Sequence, residues 1–398
     1  MSSFVPQIRS SNWFRQFRSS RWFQQTYERE SPWKNIDLIL LGAVIVQSII
    51  GSLTVYSATR QRLINQGFDQ FFYVQRQVLF LIVAGVVMLL LMGFGHDWVR
   101  EKGVHLFVVA AVLLALVLVL GAVSNGARLS FDFGPISFQP AEFMKVAVLV
   151  FIAGYNSNAV DNKVSFHDLA NSLLILSVPF VLIMAQPDLG SASVLIAGVS
   201  AILIVAGATR RHILFFSLMV IGSLFIVTVI GVVDRYQLRR FEAWFNQDSN
   251  EQGLQRIVLQ VRFAKRAVSS GGFFGKGYLS GPLTNGAYIP VQFVDFPFSA
   301  IGEQFGMFGG TFVLALFGVI LWRVWMIAKL ANTRFDQLFM SGFFGMLLFQ
   351  VFQNIGMTLG MVPVSGLPLP FISYGGSHLL SSGILLGLSQ SIYMRRLH

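Results

Sequence analysis

A few ionisable side chains stand inside runs that are otherwise apolar, and their spacing suggests chemistry. Glu142 and Lys145 follow Pro140 in FQPAEFMKVAVLVF. Pro suits a first helical turn, and the i,i+3 spacing puts the acid and the cation on one helical face. The two can neutralise each other as an internal ion pair, or the lysine can meet an anionic substrate group. Asp295 stands between Val294 and Phe296 in IPVQFVDFPFSAIGEQFG, just before Pro297. An isolated carboxylate with no local cation has its pKa raised, which suits a general base. The competing role is an acid that stabilises the dipole of the helix it precedes. Glu303 lies two turns further on, where a hydrogen bond between helices is the simpler role. The six histidines form no HExxH-type pair, and with no cysteine there is no disulfide, thiol nucleophile or thiolate metal site.

These side chains need elements to hold them, and composition decides which kind. Of 398 residues, 54% are hydrophobic and only 12% charged. Soluble domains average about 25% charged, so a water-soluble globule is excluded, and so is disorder. About 20 apolar residues span a bilayer as a helix. Ten such spans are expected, at 36–58, 76–95, 104–122, 140–156, 167–186, 189–207, 212–232, 297–326, 337–361 and 370–393. The fold class is therefore all-α: a polytopic membrane protein with a large extracytoplasmic loop, 233–296, between helices 7 and 8. Segment 1–35 is a separate basic, aromatic cytoplasmic stretch without the short apolar region of a cleavable signal peptide. It is an interfacial anchor or a disordered tail.

Orientation follows from Lys and Arg in the short loops. With the N-terminus inside, sixteen fall in cytoplasmic segments, and Arg60, Arg62, Arg76 and Arg128 fall outside. Ten spans then return the C-terminus to the cytoplasm. The net charge of +11 is mostly this topology signal plus attraction to anionic lipid. No recognition motif accompanies it, so nucleic-acid binding is not expected.

Within the long loop, GLQRIVLQVRFAKRAVSS places Leu254, Ile257, Val258, Val261, Ala264 and Val268 on one face. This pattern predicts a basic helix lying on the outer membrane surface. The SSGGFFGKG run that follows ends in Lys276. It lacks the Walker spacing, so it is either a turn or a loop whose backbone approaches a lipid pyrophosphate. Gly302, Gly306 and Gly310 form a small-residue stripe that packs a helix within the bundle or one from a partner.

The runs GPISFQPAEFMKVAVLVF, QPDLGSASVLI, SGGFFGKG, DFPFSAIGEQFGMFGG and NIGMTLGMVPVSGLPLPFISYGGSHLLSSGILLGLSQSI occur in that order. Together they resemble the SEDS family (shape, elongation, division and sporulation), which includes RodA, FtsW and SpoVE. The resemblance covers the chain from about residue 35, and the FGKG loop and short basic C-terminus are more similar to RodA. It implies a ten-helix peptidoglycan glycosyltransferase of the bacterial inner membrane that polymerises lipid II and works with a class B penicillin-binding transpeptidase. It carries the family's essential aspartate onto Asp295, and other site roles onto Glu142, Lys145, Arg128, Glu303 and the tight-turn Asp188. The chain departs from the pattern in Pro290-Val291-Gln292-Phe293-Val294-Asp295, which lacks the family's Glu and His. It departs again after Arg128, where no aromatic follows.

The implied reaction suits the residues. A base must take the proton of a sugar hydroxyl, and cations must balance a departing pyrophosphate. Asp295 is the expected base; Lys145, Arg128 and Lys276 are the expected cations, with Glu142 holding Lys145. Mg²⁺ or Mn²⁺ near the pyrophosphate is the expected cofactor. Two other classes compete, a lipid flippase with Glu142, Lys145 and Glu303 as coupling charges, and a non-catalytic scaffold for a transpeptidase. Within the enzyme class, a division or sporulation polymerase is the alternative to an elongation one.

Overall fold

The computed structural model describes residues 32–396, except 125–126, 135, 160–163, 230, 232–234, 248, 250 and 252. The anchor expected over 1–35 thus lies outside the described residues, apart from a closing 3₁₀ turn at Pro32–Asn35. Ten long helices stand where ten spans are expected: α1 (Leu38–Asn65), α2 (Phe72–Phe94), α4 (Gly103–Leu120), α5 (Pro140–Asn156), α6 (Phe166–Met184), α7 (Leu189–Val205), α8 (Arg210–Val229), α13 (Pro297–Leu330), α14 (Arg334–Thr358) and α15 (Gly376–Met394). Six of them, α1, α2, α4, α6, α13 and α14, are long and apolar enough to cross a membrane on length and composition alone. Short helices fill the connections: α3 (His96–Glu101), α9 (Arg235–Phe245), α10 (Gln255–Ser270), α11 (Pro282–Asn285) and α12 (Gln292–Asp295).

Helix position explains why α5 and α15 are less apolar than a lone span would be. Both are buried along most of their length, so their polar side chains meet other helices rather than lipid. The outer helices α1, α2 and α4 instead expose Ile49, Ile82 and Val109, as lipid-facing surfaces do. Caps fix the starts. Asp37 accepts from Leu40 N of α1, and Ser165 and Asp168 form a capping box on α6. Asp37 also pairs with Arg323 of α13 at 2.7 Å and exchanges hydrogen bonds with Gln390 of α15. One buried acid thus ties three helices at the end opposite the 233–296 segment.

The strands β1 (Ala122–Ser124), β2 (Ala127–Phe133) and β3 (Ile136–Phe138) form a small antiparallel sheet in the order β1-β2-β3 between α4 and α5. Val123 pairs with Arg128 and Phe131 with Phe138. The sheet lies in a connection, so the expectation of helices at membrane depth is unaffected.

One expectation for the long segment needs correction, and one open choice is decided. The apolar face of α10 does not lie on lipid. Leu254, Ile257, Val258, Ala264 and Ala267 pack with Phe296, Met357 and Ile289 in a second hydrophobic core. The glycine stripe makes this possible, since a Cβ at Gly302 would press on Val268 at 3.0 Å. The stripe is therefore used inside the chain. Nor is the glycine loop a phosphate cradle. Helix α13 breaks at Gly306 (φ 65, ψ −158), and the loop pairs with the break. Lys276 N donates to Glu303 O and Gly277 N to Gln304 O, both at 3.0 Å, and Met307 N donates to Gly272 O. These bonds satisfy backbone groups that a broken helix would leave bare, and they occupy the amides a phosphate would have used.

Candidate functional site

Asp295 ends the one-turn helix α12, which backbone strain and three tertiary bonds hold in place. Val291 enters it in the left-handed region at φ 54, an uncommon state for a β-branched residue. Tyr374 N donates to Phe293 O at 3.0 Å, Ser373 Oγ to Val294 O at 2.6 Å, and Asn354 Nδ2 to Asp295 O at 2.9 Å. Tyr73, Phe293 and Tyr374 pack their rings around the same turn, with centroids 4.8–5.6 Å apart. The backbone is thus fixed while the carboxylate has no hydrogen bond or ion pair among the described residues. Asp295 is half-buried. Burial pushes its carboxyl up to about 6, against the pull of the Arg240 guanidinium.

Arg240 reaches the site from α9, where its Nη1 donates to Ser365 O at 3.1 Å. One turn earlier, Gln237 Nε2 donates to Pro187 O in the tight turn before α7. Helix α9 therefore spans the turn that carries Asp188 and the loop that supports α12.

A second group is built on α5 and α15. Lys145 Nζ lies 2.7 Å from Glu142 Oε1, while Glu142 Oε2 accepts from Ser381 Oγ at 3.0 Å and faces His378 Nδ1 at 3.2 Å. All four side chains are buried. Ser377 accepts from Gln139 N at 2.9 Å, and Gln139 Nε2 reaches Asp188 Oδ2 at 3.5 Å. Asp188 itself caps α7, accepting from Ser191 N and Ser191 Oγ. The loop before α15 joins the two groups. Its Ser373 and Tyr374 hold α12, and four residues later His378 meets Glu142.

The remaining expected residues fall elsewhere. Glu303 is fully buried and caps α11, accepting from Leu283 N, Thr284 N and Thr284 Oγ1 at 2.6–2.9 Å. Arg128 is exposed on β2, and its guanidinium donates to Val119 O at the end of α4. The Lys276 side chain is exposed on the loop paired with α13. Among the described residues no three His, Asp or Glu side chains converge as a metal cage would. The expected Mg²⁺ or Mn²⁺ finds no such donor set there.

The family model for the cell cycle proteins FtsW, RodA and SpoVE matches residues 37–397. This chain belongs to that family. Stage V sporulation protein E of Bacillus subtilis is 34% identical over 372 residues, covering 92% of this chain and 99% of the relative. The peptidoglycan glycosyltransferase MrdB of Escherichia coli K12 is 31% identical, covering 73% and 78%. Among solved structures, a chain of a peptidoglycan synthase complex that coordinates polymerization and crosslinking superposes with a TM-score of 0.75 at 30% identity, covering 91% and 98%. The rod shape determining protein RodA of Thermus thermophilus gives 0.68 at 29%, covering 92% and 99%.

In this FtsW/RodA/SpoVE member, two residues escaped the sequence reading. His378 was one of six scattered histidines, and its only signal was its place at the start of the last helix in the GGSH run. Arg240 sits in RYQLRRFEAWF, a run whose amphipathic period marks a helix but not what its arginines face.

Proposed function

We propose that this chain is a peptidoglycan glycosyltransferase that polymerises lipid II at the outer face of the bacterial cytoplasmic membrane, with Asp295 as general base. The carrying observation is the contrast at α12, a backbone held from three sides and a carboxylate left open. Asp295 takes the proton of the GlcNAc 4-hydroxyl of one lipid-linked sugar. That oxygen bonds to C1 of MurNAc on the other, with inversion. The C1–oxygen bond to the diphosphate breaks, and undecaprenyl diphosphate leaves with the bonding pair. Arg240 and Lys145 supply positive charge for that leaving group, with Arg128 and Lys276 as outlying cations. Glu142, His378 and Ser381 fix Lys145, and Asp188 and Glu303 shape the walls.

The excess of Lys and Arg in the short segments of one side supports an N-terminus and C-terminus both in the cytoplasm, which puts Asp295 outside. The neighbour in a peptidoglycan synthase complex supports a class B penicillin-binding transpeptidase as partner. The relatives span sporulation, division and elongation proteins, and the same chemistry serves all three. The test is purified protein with lipid II. Glycan strands from wild type and none from Asp295→Asn, with lipid II still bound, support the assignment. An Asp295→Asn protein that polymerises at the wild-type rate refutes it. Lipid transfer across the bilayer without polymer is the result a flippase would give.

A further inference from the structure

The reaction needs a place for a molecule that is apolar at one end and polar at the other, and the α1–α2 side of Asp295 has that profile. An apolar groove of about 640 Å³ runs between α1, α2 and α15. Along α1 it extends from Leu41 to Tyr56, about 22 Å at 1.5 Å per residue. Beyond its upper end lies a second cavity of about 480 Å³, lined by the amides of Asn65, Gln66, Asn285 and Gln292 with Arg62 and Phe293. The last two residues of that lining that precede Asp295, Gln292 and Phe293, belong to α12 itself. Ala287 and Val291 also line it, both in left-handed backbone states, and such strain gathers at ligand sites.

Three arginines stand at the junction, Arg60 and Arg76 beside the upper end of the groove and Arg62 in the lining of the polar cavity. Arg60 Nε donates to Gln70 Oε1 at 3.2 Å, and the Tyr56 hydroxyl at the top of the groove donates to the same oxygen. Arg62 is in the polar cleft. Arg76 lies 3.9 Å above the Phe72 ring, and its charge acts on the nearby Tyr374 hydroxyl. The acid of this turn, Asp69, is occupied in part by Phe71 N. The order along the bundle is apolar, cationic, then amide-rich. Bulk lipid would fill the groove but would leave the amide cleft without an occupant.

We propose that groove, arginines and cleft form one seat for a polyprenyl diphosphate that carries a saccharide, the acceptor whose own diphosphate does not leave: chain in the groove, diphosphate at Arg60, Arg62 and Arg76, sugar against α12. This deepens the glycosyltransferase reading and rests on it for the identity of the sugar. Gly85 gives a clean test. It lines the groove, and a Cβ there meets nothing within 4 Å, so Gly85→Trp starts into open space and puts its ring in the groove. Gly222 on α8 has the same open surroundings, and Gly222→Trp is the control.

Full-length protein in phospholipid nanodiscs is irradiated with undecaprenyl diphosphate carrying a diazirine on its chain, and the labelled peptides are identified. Labelling is expected on α1, α2 and α15, reduced about tenfold by Gly85→Trp and unchanged by Gly222→Trp. Replacing all three arginines with alanine is expected to weaken labelling by the diphosphate but not by the corresponding alcohol. Labelling spread over all lipid-facing helices, or unmoved by Gly85→Trp, overturns the seat. The two readings separate cleanly. Polymer made with labelling elsewhere refutes the seat and keeps the transferase. Specific labelling of a protein that makes no polymer does the reverse.

Discussion

Glu142 and Asp295 each stand beside the proline that opens a long helix, and the protein surrounds them in opposite ways. Glu142 is inside the bundle and its carboxylate is filled by Lys145, His378 and Ser381. Asp295 is half-buried, and among the described residues its neighbours hydrogen-bond only its backbone. A saturated carboxylate in a low-dielectric interior stays charged and joins helices, but it has nothing left to offer a substrate. An unsaturated one has a raised pKa and two free oxygens. The difference teaches that an acid beside the start of a spanning helix can do either of two jobs, one architectural and one chemical, and that the hydrogen bonds on its carboxylate tell them apart.

The strongest way to break this comparison is to neutralise the open acid. Asp295→Asn should cut polymerisation by about 10²–10⁴-fold, the usual contribution of a general base, and should leave the melting temperature no lower than wild type. Initial rates of glycan formation and thermal unfolding in nanodiscs check both halves. A variant that loses activity by unfolding would place Asp295 with Glu142 among the architectural acids.

Removing one partner of the filled acid should act on the fold, beyond the charge that Lys145 lends the leaving group. Lys145→Met strands Glu142 in the interior, and a stranded buried charge costs about 3–5 kcal/mol. The double variant Glu142→Gln/Lys145→Met should regain much of that loss, because no charge is left uncompensated. Thermal unfolding of the single and double variants tests the coupling. Equal stability of Lys145→Met and wild type would show that the α5–α15 group does not bear on the bundle.

A gentler probe is pH. With its carboxyl at about 6, Asp295 is ionised at pH 7.5 and largely protonated at pH 5. A protonated acid accepts no proton, so the rate should fall as pH drops through about 6 and be about tenfold below its plateau at pH 5. A profile flat from pH 5 to 8 would exclude a base with this pKa.

How much of this was legible beforehand depends on the scale of the interaction. The ten long helices follow from hydropathy, because lipid imposes one length and one composition. The Glu142–Lys145 contact follows from an i,i+3 spacing inside a single helix. The partner of that pair, His378, lies 236 positions away, and no local pattern announces it. Arg240 is hidden for the same reason, since α9 meets Asp295 only through the fold. The α10 face was misread because a helix lying on lipid and a helix packed on α13 share one amphipathic pattern. The loop of Lys276 and Gly277 stayed between two readings because a glycine-rich loop says that the backbone is approached closely, not by what. Here it is approached by the broken turn of α13.

The smallest expected effect is also the most diagnostic, because it runs against intuition. Asp295 has a folded-state pKa raised to about 6 from an ordinary 3.8. The folded protein therefore holds this proton more tightly than the unfolded chain does. The stability it contributes is fully present below about pH 3.8 and is lost as pH rises through about 6. At pH 7.5 the ionised carboxylate consequently costs stability, at most about 3 kcal/mol, and Asp295→Asn removes that cost. The variant should unfold at a slightly higher temperature than wild type at pH 7.5, and the gap should narrow steadily as the pH is lowered towards 4. A gap that widens on acidification would mean that the folded protein favours the charged carboxylate, and the base assigned to α12 would then have to be sought elsewhere.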